Sequence, residues 1–125
     1  MKPEQRLHQK VRELLEPCDY CRVEGASSGF PDVNVARNGQ TIWLELKVVT
    51  AGRTLLRKEQ YAWGMRRQVH DATVYVLSWH EKLDEVFLWQ YPLQVIPYSK
   101  YCQIISKPVM TDFSDPYHII SFLFP

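Results

Sequence analysis

A chain of 125 residues, 46 % hydrophobic and 13 % aromatic, can build one compact domain with a real core, which excludes disorder, collagen-like repeats and coiled coils. Its net charge of +1, from 15 basic and 14 acidic side chains, points by itself to no partner. No apolar run approaches the roughly 18 residues of a membrane span, and the mixed-charge start MKPEQRLHQK has no signal-peptide core. We therefore expect a complete reading frame for a soluble, intracellular domain.

The elements follow from periodicity and breakers. Residues 3–16 read as a helix, with Leu7, Val11, Leu14 and Leu15 forming an apolar stripe that Pro17 ends. Tyr20–Glu24 reads as a short strand, and Gly25–Gly29 as a small-residue loop. Within residues 31–49, two β-rich runs flank Asn38-Gly39, a strong hairpin signal. A two-residue loop pairs Arg37 with Gln40, so opposed residues have numbers summing to 77. That sets Val33 opposite Leu44, Val35 opposite Ile42 and Asp32 opposite Glu45. After a turn at 50–54, Lys58–Val69 reads as a helix with Tyr61, Met65 and Val69 inward, and Gln60, Trp63 and Arg67 on another stripe. Strands are expected at Ala72–Trp79 and Glu85–Gln90. The proline-bearing remainder reads as mostly irregular, up to a terminal helix capped by Asp115 with Pro116 at its first position. This order predicts an α/β fold: a mixed sheet, antiparallel at the hairpin, with a helical crossover between residues 49 and 72. No second domain is visible. The core lies in about residues 4–90, and residues 91–125 read as a family-specific C-terminal extension.

Two features narrow the function classes. Cys18, Cys21 and Cys102 are an odd set without a second pair at ligand spacing, so they read as reduced and half-buried rather than as a disulfide framework or zinc site. Charge is uneven: residues 47–70 hold Lys47, Arg53, Arg57, Lys58, Arg66 and Arg67 against Glu59 alone, while the rest of the chain to its end is acidic. Such asymmetry suggests one face that meets an anion.

Alternation along the hairpin places Ile42, Leu44, Leu46 and Val48 on one face and Trp43, Glu45 and Lys47 on the other. Two opposed carboxylates destabilise a sheet. The pair is tolerable if one acid is protonated, if a cation neutralises both, or if the register slips. A hard divalent cation prefers carboxylate and carbonyl oxygens; Asp32 and Glu45 supply two, and the Leu46 carbonyl could supply a third. Lys47 lies on the same face, where its ammonium can meet a phosphate or an attacking water.

Gly29-Phe30-Pro31-Asp32, then, after twelve intervening residues, Glu45-Leu46-Lys47, resembles the PD-(D/E)XK nuclease superfamily. Glu4 in the first helix, and Gln60 followed by Trp63 in the second, are similar to its virus-type replication–repair and Holliday-junction resolvase branches. The resemblance covers roughly residues 4–78. It implies a restriction-endonuclease-like mixed β-sheet flanked by helices, with Asp32 and Glu45 as metal ligands. It further implies Glu4 as an additional acid acting through water, Lys47 as the group that orients water and stabilises the phosphorane, and Gln60 as a positioning residue. Glu24, nearer Asp32 in sequence, is the other candidate for the additional acid. Arg53, Arg57, Lys58, Arg66 and Arg67 are the candidate DNA contacts.

The expected activity is that of a Mg²⁺-dependent endodeoxyribonuclease, with Mn²⁺ as a substitute, acting in DNA repair or recombination. Its expected setting is the bacterial cytoplasm, as a host or phage protein. The preferred substrate would be structure-selected (branched) or non-specific DNA, and a junction cut would need a homodimer. A non-catalytic nucleic-acid-binding or protein-inhibitor module on the same fold is the alternative.

Overall fold

The computed structural model describes residues 1–23, 29–111, 113 and 115–125. In chain order the elements are α1 (Pro3–Leu14), β1 (Asp19–Arg22), β2 (Val33–Arg37), β3 (Gln40–Val48), β4 (Leu55–Arg57), α2 (Lys58–Val69), β5 (Val74–His80), β6 (Glu85–Gln90), β7 (Val95–Tyr98), β8 (Tyr101–Ile104) and α3 (Pro116–Leu123). Five strands form the main sheet in the order β1-β2-β3-β5-β6, and three form a small sheet in the order β4-β8-β7. Among the described residues no helix is long and apolar enough to cross a membrane.

The hairpin takes the expected register, from Arg37 opposite Gln40 to Val33 opposite Leu44. Asn38 and Gly39 both adopt positive φ, 51° and 81°, as the type I′ turn requires. β3 then runs parallel to β5, and the connection between them carries α2. The pleat divides the core in two. Ile42, Leu44, Leu46, Val33 and Val35 pack with Leu7 and Val11 of α1, with Leu15 just past its end, and with Ile119, Ile120 and Leu123 of α3. On the opposite face, Trp43, Val74, Val76 and Trp89 pack with Trp63 of α2, Leu56 of β4 and Ile104 of β8. Asp115 caps α3 by accepting the Tyr117 N–H at 3.0 Å.

Four expectations need correction or a boundary. The first helix stops at Leu14, two residues early, and the first strand occupies Asp19–Arg22; Glu24–Ser28, including the far end of that expected strand and most of the expected loop, lie outside the described residues. The second helix has the expected limits; Tyr61 and Met65 pack half-buried against the core as expected, but the most buried positions are Gln60, Trp63 and Gly64, and Val69 is 72 % exposed. The reason is tertiary, because the Tyr91 ring fills the space over Gly64, where a built Cβ would lie 2.2 Å from the ring. Residues 95–104 form β7 and β8 rather than irregular chain, and β4 is an additional strand paired with β8. Proline is tolerated in β7 because β7 is an edge strand.

Candidate active site

The site grows from the open end of the hairpin. Even-numbered residues of β3 direct their backbone groups toward β2, since the Trp43 N–H donates the other way, to Thr73. By the hairpin register Leu46 would pair with Pro31, which has no N–H to give the Leu46 carbonyl. The Leu46 N–H instead donates to Asp32 Oδ2 at 2.8 Å. A proline at this point therefore leaves the Leu46 carbonyl without its ladder donor, while the Asp32 carboxylate accepts the Leu46 N–H and so caps the central strand.

Glu45 lies on the α2 side of β3 and is only 4 % exposed. Its Oε1 accepts a hydrogen bond from Gln60 Nε2 at 3.3 Å. The Gln60 amide is oriented from its other end, because Oε1 accepts the Arg57 N–H at 2.8 Å in the first turn of α2. Burial, reinforced by the Asp32 carboxylate beside it, pushes the Glu45 carboxyl far above the ordinary range. Lys47 is pushed in the opposite sense, below the usual lysine value, chiefly by burial, with Glu45 and Asp32 opposing that shift. Behind them, the buried Thr54 and Ser78 hydroxyls share a hydrogen bond of 2.7 Å, which ties the chain entering β4 to β5 beside Lys47.

These groups open into a cleft of about 810 Å³ lined by Glu4, His8, Arg22, Asp32, Glu45, Leu46, Lys47, Arg57, Gln60 and Tyr101, among others. The fold thus brings together Asp32, Glu45, Leu46, Lys47, Glu4 and Gln60 from three separate elements and a strand end. Of the five cations expected to meet DNA, Arg57 lines this cleft. Arg53 lies instead over the Tyr98 ring at 4.7 Å, and Arg67 over Trp63 at 5.1 Å. Lys58 and Arg66 are exposed on α2. Glu24, the rival additional acid, is outside the described residues.

Sequence reasoning missed His8, Arg22 and Tyr101 as cleft residues. His8 could have been found, since it follows Glu4 by four residues and shares its helix face. Tyr101 could not be placed without recognising the hairpin that carries it.

The donor set suits a hard cation: two carboxylates side by side, a backbone carbonyl deprived of its ladder donor, and a third acid across the cleft. Among the described residues no three His, Cys, Asp or Glu side chains are already gathered as a metal cluster. The fit rests on the paired acids, the backbone carbonyl and the cost of ionising Glu45 unaided.

The architecture is that of a restriction-endonuclease-like fold, a five-stranded mixed sheet flanked by helices. Among solved structures it is similar to Hjc from Archaeoglobus fulgidus, a Holliday junction resolvase from an archaeal hyperthermophile, with a TM-score of 0.63 at 14 % identity over 82 % of this chain and 84 % of that one. The fold expected from the motifs, a mixed sheet flanked by helices, is the fold observed. No protein-family model matches the sequence, and no curated protein does.

Proposed function

We propose that this protein is a divalent-metal-dependent nuclease that hydrolyses DNA phosphodiester bonds, acting as a structure-selective or non-specific endonuclease. One observation carries the reading: Asp32 and the buried Glu45 share one side of the hairpin end, with Lys47 beside them, in an open cleft that Glu4 and Gln60 also line. A buried acid set beside a second carboxylate is costly to a fold, and it is intelligible where a cation and a phosphate complete the pair.

Asp32, Glu45 and the Leu46 carbonyl would hold Mg²⁺ or Mn²⁺, with Glu4 reaching it through water. The bound ion would polarise the scissile phosphate and lower the pKa of the attacking water. Asp32 and Glu45 would hold the ion that neutralises the reacting phosphate. Gln60 keeps the Glu45 carboxylate turned toward the cleft by holding one of its oxygens. Lys47, partly desolvated, donates to the non-bridging oxygen on which charge grows during in-line attack. Arg57 holds a neighbouring backbone phosphate. One such site cuts one strand, so a paired cut across a junction calls for two copies of the chain.

The test is cleavage of a substrate panel (single strand, duplex, flap and four-way junction) with Mg²⁺, with Mn²⁺ and with EDTA. Metal-dependent cutting that Asp32→Asn abolishes is the expected result. Binding without any cutting in either metal would overturn the reading in favour of a non-catalytic module.

A further inference from the structure

The small sheet presents a second surface beside the cleft. Directly opposed residues on neighbouring strands point to the same side. Arg57 is opposite Tyr101, and Tyr101 is opposite Tyr98, so these three form one row across β4, β8 and β7. Leu55, Gln103 and Ile96 form the next row. Leu56, Cys102 and Ile104 are buried beneath, which leaves both rows on the outward face. Arg57, Leu55 and Tyr101 also line the cleft, so this face continues from the cleft wall out to Tyr98.

Its chemistry is aromatic and cationic. Tyr98 is 38 % exposed and Ile96 43 %. The Arg53 guanidinium lies 4.7 Å from the Tyr98 ring and the Lys100 ammonium 5.7 Å from the Tyr101 ring. Residues 86–111 contain no acid, nor do residues 46–58. Glu59, which pairs with Arg57 at 3.5 Å, is the nearest carboxylate in sequence to this row. Rings flanked by cations are suited to a polyanion that carries flat groups, rather than to an apolar protein surface. Two strand spacings, about 10 Å, separate Arg57 from Tyr98.

We propose that this outward face is a stacking platform for unpaired DNA bases, so that the protein prefers DNA with a single-stranded segment next to the bond in the cleft. The proposal rests on the nuclease reading for the role of the cleft and deepens it by naming the substrate class. Bases without a complementary strand expose both faces and can lie on Tyr98, Tyr101 or the Arg53 plane, whereas stacked bases in a duplex offer only edges and phosphates.

The test is fluorescence anisotropy in EDTA, where no cutting occurs, with a labelled single strand of roughly twenty nucleotides and its duplex. Full-length wild type, Tyr98→Ala, Tyr98→Leu and Tyr98→Phe are compared, with melting curves to establish folding. Single-strand affinity should fall about tenfold in the Ala and Leu variants, duplex affinity should change less than about twofold, and Phe should retain wild-type binding. Tyr98 is exposed at a strand end, and Leu keeps its apolar bulk if Ala disturbs the hairpin. The proposal is overturned if wild type does not bind the single strand, if Ala and Leu leave its affinity unchanged or weaken both probes equally, or if Phe loses as much as Ala. Cleavage in Mg²⁺ is measured alongside. A protein that stacks but does not cut removes only the nuclease reading; one that cuts with no dependence on Tyr98 removes only the platform.

Discussion

Asp32 Oδ2 accepts the backbone N–H of Leu46 at 2.8 Å, so a side-chain carboxylate takes the place of a backbone acceptor where the β2–β3 ladder ends. One carboxylate is thereby both the cap of the central strand and half of the acid pair with Glu45. The two duties separate by substitution. Asp32→Asn keeps an oxygen for Leu46 and removes the charge facing Glu45. It should leave metal-free stability unchanged or raise it by about 1 kcal/mol while abolishing activity. Asp32→Ala strands the N–H and should cost about 1–2 kcal/mol. Thermal melting of both variants in EDTA checks this; equal loss in both would mean that the charge itself stabilises the metal-free fold.

Glu45 makes the metal-free protein sensitive to pH. Burial first, and the Asp32 carboxylate second, raise its folded-state pKa above the unfolded value of 4.5. Between those values the unfolded chain has lost a proton that the folded one keeps, so stability falls as pH rises. Glu81 and Asp84, whose pKa values are lowered by Arg6 and by Trp79 with Lys10, contribute stability lost only as pH falls below the ordinary carboxylate range. The lowered Lys47 acts on the alkaline side and in the opposite sense. From pH 5 to 7 in EDTA, wild-type Tm should therefore drop relative to Glu45→Gln. Millimolar Mg²⁺ should raise wild-type Tm by mass action and hardly move the variant. Parallel Tm–pH curves for the two proteins, or equal Mg²⁺ shifts, would place the strain and the metal elsewhere.

What could be read in advance follows from how local each determinant is. Asn38-Gly39 and the alternation after it are local, and they set the hairpin, its register and the shared face of Asp32, Glu45 and Lys47. Asp115-Pro116 is local in the same way and set the start of α3. The inward face of α2 is not local. Tyr61 and Met65 pack against the core as their stripe suggests, but Val69 does not, and which positions sit deepest depends on the Tyr91 ring, far along the chain. The hairpin of β7 and β8 was hidden by Pro97, which argues against a central strand but not against an edge one. Pro31 was legible as a motif letter, while its effect on the Leu46 carbonyl required the register.

Gly64 tests that tertiary choice. Any Cβ there would collide with the Tyr91 ring, whose hydroxyl donates to the Gln60 carbonyl at 3.4 Å. Gly64→Ala should cost about 1–3 kcal/mol through overpacking, although alanine is the better helix former. Denaturant unfolding measures it, and a second substitution, Tyr91→Leu, should recover part of the loss. A Gly64→Ala protein as stable as wild type would show that α2 can rotate away.

The arginines should rank by distance from the cleft. Arg57 lines it, whereas Arg66 and Arg67 are two turns further along α2, about 9 Å or more beyond Gln60. Arg57→Ala should flatten the log–log salt dependence of duplex binding by about one counter-ion. The double replacement Arg66→Ala with Arg67→Ala should flatten it by no more than about two and leave catalytic rates unchanged once DNA is saturating. A larger effect from the distal pair would move the DNA path onto α2.

Lys47 carries the last and sharpest prediction. Its backbone is fixed in the middle of the main sheet, opposite Ser78 of β5, and burial has already weakened its hold on its proton. A group placed this way contributes by meeting charge that develops on the phosphate rather than by binding the ground state. Lys47→Ala leaves Asp32, Glu45 and the Leu46 carbonyl in place, so the Mg²⁺ dependence of Tm should stay as in wild type. Substrate affinity should change little, while the single-turnover rate falls about 10²- to 10³-fold, the usual cost of losing one such donor. Lys47→Arg should recover little, because a planar fork does not place one donor where the ammonium was. A near wild-type rate for Lys47→Ala in saturating Mg²⁺ would remove Lys47 from the chemistry and leave the acid pair to act without it.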